Sequence, residues 1–186
     1  MPDPPRTGNP RPPPRLETSR LWLRPFTLDD LDAYFGMTSD AETMRFMKRR
    51  TETRDEARDS LAFVADHWER LGYGLWAAEE KRSGELVGRI GLLQPPGWPG
   101  LEVGWLVERS RWGEGFAPEG ARASLDWGFE TLPDDRILSL IQPANRASIR
   151  VAEKLGERFD RSMSFQGFDV SVYAIDRRTW ENRRRT

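Results

Sequence analysis

The sequence predicts an α+β domain, and three observations lead there. Residues 101–132 read as a strand, a glycine turn and a helix in immediate succession. Residues 75–79 and 86–93 are two strand-like runs joined by a polar turn at 81–84, which makes an antiparallel hairpin. Segments of helical spacing with their own capping signals stand between the strands, over residues 28–37, 53–71 and 146–155.

Composition narrows the function. The chain has 186 residues, the size of one domain with a substantial core. Its 29 basic residues are balanced by 30 acidic ones, so no basic field awaits nucleic acid, which is not expected as a partner. Cysteine is absent, which removes disulfides, thiolate metal sites and cysteine nucleophiles. With His67 the one histidine, a multi-histidine metal centre is excluded and no metal is expected. No apolar run approaches the ~18 residues of a membrane span, so no membrane partner is expected. Met1-Pro2-Asp3-Pro4-Pro5 lacks the apolar core of a secretory signal, which with the absent cysteine predicts a cytoplasmic protein.

The elements follow in order. Residues 1–15 hold seven of the fourteen prolines and read as a disordered tail, with a proline-rich ligand for another domain as the alternative. The folded domain is expected over residues 16–182, and 183–186 read as a frayed basic tail. Residues 20–26 hold a first strand, alternating through Leu23, that Pro25 ends or puts at an edge. Thr27 caps the helix over 28–37, and residues 41–46 form a helical turn. Lys48-Arg49-Arg50 is a solvated charge run or a contact to an acidic substrate.

Thr53 and Glu56 make a capping box, and Gly72 closes that helix. Leu61, Val64, Ala65 and Trp68 face inward, which leaves His67 exposed or partly exposed. Trp98 sits in the loop over 94–100 and either packs on the sheet or lines a pocket. Pro118 is expected to open the helix after the glycine turn. A fifth strand covers 136–141, and Asn145 caps a helix that Gly156 stops. Two closing strands fall within 165–175.

A glycine turn running into a helix aims unpaired N–H groups and the positive end of the dipole at one spot, which suits a phosphate. By itself this pattern is also that of an ordinary turn. Trp112-Gly113-Glu114-Gly115-Phe116-Ala117-Pro118-Glu119 resembles the acyl-CoA loop of the GNAT superfamily of N-acyltransferases. Gly115 and Ala117 fill the last two positions of its Gln/Arg-x-x-Gly-x-Gly/Ala pattern, while Trp112 replaces the first. Trp112, the strand Glu102-Val103-Gly104-Trp105 and the spacing Asn145-x-x-Ser148 resemble the branch that acetylates ribosomal-protein N-termini. Pro118, Gly120 and Glu157 depart from that branch's usual residues.

The resemblance implies a mixed, mostly antiparallel sheet of six to seven strands, helices on both faces, and a V-shaped split between the fourth and fifth strands. It implies acetyl-CoA as co-substrate, with its pantetheine arm against the backbone of Leu106 and Val107 and its pyrophosphate on the amides of Trp112, Gly113, Glu114, Gly115, Phe116 and Ala117. Asn145 would touch the pantetheine amides, and Ser148 would protonate the departing thiolate. An alkylamine is protonated at neutral pH, so a base is needed. Glu102 is the candidate, with Asp169 and Glu85 as alternatives.

Three functions fit. One is an N-acetyltransferase acting on a protein N-terminus, an amino acid or a small amine by direct attack in a ternary complex. Another is a non-catalytic acyl-CoA sensor or scaffold. The third is an interaction module whose eight tryptophans mark a contact surface. The enzyme is the preferred reading, because a binder needs only the loop, not Asn145 and Ser148. A monomer or a homodimer through strand edges is expected.

Overall fold

The computed structural model describes residues 13–185, so the tail reading for 1–12 and for Thr186 lies outside the described residues. The strands are β1 (Leu16–Glu17), β2 (Leu21–Arg24), β3 (Leu75–Glu80), β4 (Leu86–Leu93), β5 (Glu102–Val107), β6 (Arg136–Ile141), β7 (Arg158–Phe165) and β8 (Phe168–Asp176). The helices are α1 (Leu31–Ser39), α2 (Arg54–Leu71), α3 (Phe116–Thr131), α4 (Arg146–Leu155) and α5 (Arg177–Arg184). The strands form one sheet in the order β1-β2-β3-β4-β5-β6-β8-β7. All pairs are antiparallel except β5 with β6. The strand beyond the expected six to seven is the two-residue β1.

Alternation along the strands sorts side chains to two faces. Trp76, Ile90, Val103 and Trp105 share one face by register. There α3 packs so closely that a Cβ on Gly120 would stand 2.5 Å from Ile90 Cδ1. Arg89, Leu93, Glu102 and Leu106 share the other face. There Leu106 joins Leu31, Tyr34, Met37 and Leu61 of α1 and α2 in one apolar cluster. Helices thus cover both faces.

Local chemistry sets the helix ends. The Thr53 hydroxyl accepts from the Glu56 N–H, and Gly72 closes α2 with φ 73°. α3 begins at Phe116 with Gly115 as its cap, so Pro118 is the third residue of the helix rather than the first. It is tolerated there because first-turn N–H groups have no intrahelical acceptor. The segment after Thr27 starts as a 3-10 turn, Leu28–Asp30, before α1. Asp30 turns back to the Thr27 N–H at 2.7 Å and also grips Arg24.

Four expectations need correction. The inner face of α2 takes in His67, buried at 4% exposure, and leaves out Ala65, which is exposed. Tyr73 follows the Gly72 cap and lies against His67 at 5.4 Å between ring centres, covering a side of α2 that periodicity alone leaves in water. The first closing strand begins at Arg158, well before residue 165. It is an exposed edge strand rich in charge, so it carries no apolar alternation to read.

Of the basic tail, Arg183 and Arg184 belong to α5, which is capped by the Asp176 carboxylate accepting from the Thr179 N–H and pinned by fully buried Trp180. Finally, residues 13–15 already belong to the domain: the Pro14 carbonyl accepts from Trp76 Nε1 at 2.8 Å, and Arg15 stacks on Trp22.

Candidate active site

β5 and β6 meet at a single register pair, Glu102 with Leu138, and then part. On its other edge β5 is paired along its length with β4. The Glu108 N–H donates to the Val87 carbonyl, so in antiparallel alternation Leu106 and Gly104 spend their main chains on β4. The main-chain groups of Val103, Trp105 and Val107 therefore face the gap. The Val103 carbonyl accepts from the Ser139 hydroxyl at 3.0 Å, and the Val107 carbonyl accepts from Trp112 Nε1 at 2.8 Å. Trp105 has no main-chain partner on that side among the described residues. Of the two residues expected to line an added strand, Leu106 turns its backbone to β4, whereas Val107 faces the gap, as does Trp105.

The loop beyond β5 keeps its amides available. Gly113 and Gly115 adopt φ 82° and 87°, the left-handed region that favours glycine. The Trp112 N–H donates to the Arg109 carbonyl, but the N–H groups of Gly113 to Ala117 meet no protein acceptor among the described residues. Those of Phe116 and Ala117 head the 16-residue α3. Arg20 donates to the Glu114 carbonyl at 2.8 Å and pairs with Glu119 at 2.6 Å. Arg111 reaches Glu80 at 2.7 Å and Glu114 at 3.3 Å. Glu119 thus braces the loop against β2.

A cleft of about 400 Å³ runs from this loop past Val107 to Asn145 and Ser148 at the head of α4. A second cleft, of about 240 Å³, is lined by Glu102, Trp98, Leu140 and Phe165. Trp105, Asn145 and Ser148 line both clefts, so the two meet at the split. Asn145 Oδ1 accepts from the Ser148 N–H at 3.1 Å, which is a helix cap. Ser148 Oγ lies 3.3 Å from Trp105 Nε1, which donates to it and leaves the hydroxyl proton for another acceptor.

Glu102 is held in place by two donors. Its Oε2 accepts from Trp98 Nε1, and its Oε1 accepts from the Leu140 N–H at 3.2 Å. Desolvation outweighs these bonds and pushes the carboxyl up to about 7. Trp98 does both things expected of it as alternatives: it packs edge-on against Phe165 at 4.8 Å and lines the second cleft. Asp169 is exposed on β8, and Glu85 is an exposed hairpin residue 3.6 Å from Arg111. Neither lines a cleft.

Comparison with known proteins agrees with this geometry. The model of the acetyltransferase (GNAT) domain matches residues 20–158. The chain belongs to the GNAT acetyltransferase family. The GNAT chain is 33% identical to YkkB of Bacillus subtilis over 162 residues, 86% of this chain and 94% of YkkB. It is 31% identical over 175 residues to the uncharacterized N-acetyltransferase YnaD of the same organism, 89% of this chain and 98% of YnaD. The crystal structure of an acetyltransferase from Agrobacterium tumefaciens superposes with a TM-score of 0.78 at 31% identity, covering 87% of this chain and 94% of that one. GNAT members transfer an acyl group from acyl-CoA to nitrogen, and this chain is an N-acetyltransferase of that kind.

Two features of the GNAT site escape a reading of the sequence. Glu157 is buried, and Ser139 links it to the Val103 carbonyl. A glutamate in an apolar slot registers in the sequence only as a departure from pattern. Arg89 lines the second cleft from the middle of β4, where it reads merely as the polar residue of an apolar strand. Among the described residues no group of His, Cys, Asp and Glu could hold a metal ion, and no helix is long and apolar enough to cross a membrane.

Proposed function

We propose that this GNAT chain acetylates a primary amine by direct attack on the thioester of acetyl-CoA, with Glu102 as general base and Ser148 as general acid. The observation that carries the reading is the open edge of β5. Trp105 and Val107 offer main-chain groups to a pantetheine arm as an added strand would, and the amides from Gly113 to Ala117 can receive its pyrophosphate. A main-chain N–H on the same edge is suited to polarising the reacting carbonyl.

The two side chains both line the second cleft and reach it from different elements, Glu102 from β5 and Ser148 from α4. Glu102 projects with Leu106 and Arg89, whereas Trp105, which holds Ser148, projects with Ile90. A proton can therefore leave the amine for Glu102 while another reaches the sulfur from Ser148. A carboxyl near 7 suits the first task, because it is partly ionised at neutral pH and still basic. Asn145 is assigned to the pantetheine wall as well as to the cap. The kinship with the ribosomal-protein branch rests on Glu102-Val103-Gly104-Trp105 and Asn145-x-x-Ser148.

Free-thiol release from acetyl-CoA with a panel of amines tests the assignment. Ser148→Ala should lower kcat about 100-fold with little change in KM for acetyl-CoA. Unchanged kcat in both Ser148→Ala and Glu102→Gln would remove both roles. Tight acetyl-CoA binding without turnover of any amine would leave a binder instead.

A further inference from the structure

We propose that the acceptor amine carries an anionic group several bonds from its nitrogen, and that Arg89 binds that group. This rests on the acetyl-transfer reading and names the substrate class of the same site. Among the described residues five lysines and arginines are half-buried: Arg24, Lys81, Arg89, Arg111 and Arg177. Four of them meet a carboxylate. Arg89 meets none among the described residues, although it lines the second cleft. Its Nη1 donates to the Tyr34 hydroxyl at 2.7 Å, and Tyr34 is itself fully buried and bonded to Ser60. The guanidinium is therefore anchored from behind, and most of its five N–H donors remain to be used.

A half-buried cation without a counter-ion is an unfavourable arrangement that an anionic ligand relieves. The rest of the cleft agrees. Lys48 adds a second positive charge, and Glu102 is the one acidic residue of the lining. The cleft is thus net positive even when Glu102 is ionised, which disfavours a polyamine and favours an amino acid-like or acidic-peptide acceptor.

Geometry sets the spacing. Arg89 is the register partner of Leu106, four residues along β5 from Glu102 and on the same face. At about 3.3 Å per residue the two backbone positions are about 13 Å apart. Gly91 and Gly104 are paired across the strands between them and put no side chain in the way. Two side chains lining one cleft at that separation suit an amine and an anion several bonds apart, not the adjacent pair of an α-amino acid.

The test is kcat/KM for ω-amino acids of increasing length, for uncharged amines of matched length, and for a polyamine. Wild type and Arg89→Gln are compared, with thermal melting to confirm that the glutamine variant folds. A variant that does not fold is replaced by Arg89→Lys, which keeps the charge without the planar fork. Medium-length amino acids should exceed their uncharged counterparts at least 10-fold. That advantage should vanish in Arg89→Gln and shrink in Arg89→Lys, through KM rather than kcat, with uncharged amines unaffected. Turnover without preference for the acids, or an equal loss for every amine in the variants, would overturn the role of Arg89 and leave acetyl transfer intact. Absence of turnover with every amine would overturn both.

Discussion

The hydroxyl of Ser139 lies 3.1 Å from the Glu157 carboxyl while also reaching the Val103 carbonyl at 3.0 Å. A hydroxyl has one proton to give. If Val103 receives it, the contact with Glu157 is a hydrogen bond only when the carboxyl keeps its own proton. Burial pushes Glu157 up to about 8, and the charge of Glu102 adds to this. Glu157 is then a neutral acid at pH 7, and the pair braces β6 against β5 where they part.

A raised carboxyl makes stability fall as pH rises. The native state holds the Glu157 proton above the ordinary carboxylate range, so its contribution is full at low pH and lost as pH passes about 8. Glu157→Gln keeps a donor for Ser139 and removes the ionisation. Its melting temperature should match wild type near about pH 5 and exceed it by about 5 °C near about pH 9. Parallel melting curves across that range would contradict the neutral-acid assignment.

Glu102 should shape the pH dependence of activity. It must lose its proton to accept one from the amine, so kcat/KM should climb through about 7 and level off above it. Glu102→Gln should lower kcat by about 100-fold or more and remove that limb. A limb that persists in the variant would assign it to the amine.

Gly115→Ala isolates the loop. A side chain at φ 87° costs about 1–2 kcal/mol, and its Cβ would meet Arg20 Nη2 at 3.3 Å. KM for acetyl-CoA should rise about 10-fold. Gly97→Ala, at φ 86° with nothing within 4 Å, carries similar strain far from the loop. It should lower stability comparably and leave that KM unchanged.

His67 has the opposite linkage. Burial pulls it down to about 4 from 6.5, with Arg70 adding repulsion. Its contribution is present above 6.5 and is lost as pH falls toward 4. Acidification should cost roughly 2–3 kcal/mol from this group. His67→Leu should flatten the acid limb of a denaturation curve, and an unchanged limb would place its origin elsewhere.

The middle of the chain is legible in the sequence because its signals are local. Bounds at Leu86, Leu93, Glu102 and Val107 follow from glycine and proline punctuation around β-branched and aromatic runs. Thr53, Gly72, Asn145 and Gly156 cap their helices as their types predict. What stays hidden depends on partners far along the chain. His67 is buried by Tyr73, β7 exists because β8 pairs with it, and α5 is held by Trp180 and Arg184, both on Asp126. The site divides the same way. The loop glycines and Ser148 form readable spacings, whereas Arg89 and Glu157 gain meaning only once β4, β5 and β6 lie side by side.

The parting of β5 from β6 has a kinetic corollary. The two clefts share Trp105, Leu106, Asn145 and Ser148, so they communicate through the split between β5 and β6. In the proposed reading each reactant enters by its own cleft, so the acetylated product is expected to depart without displacing CoA. A molecule joining both reactants in one covalent chain should then run through that split past Trp105 and compete with each of them.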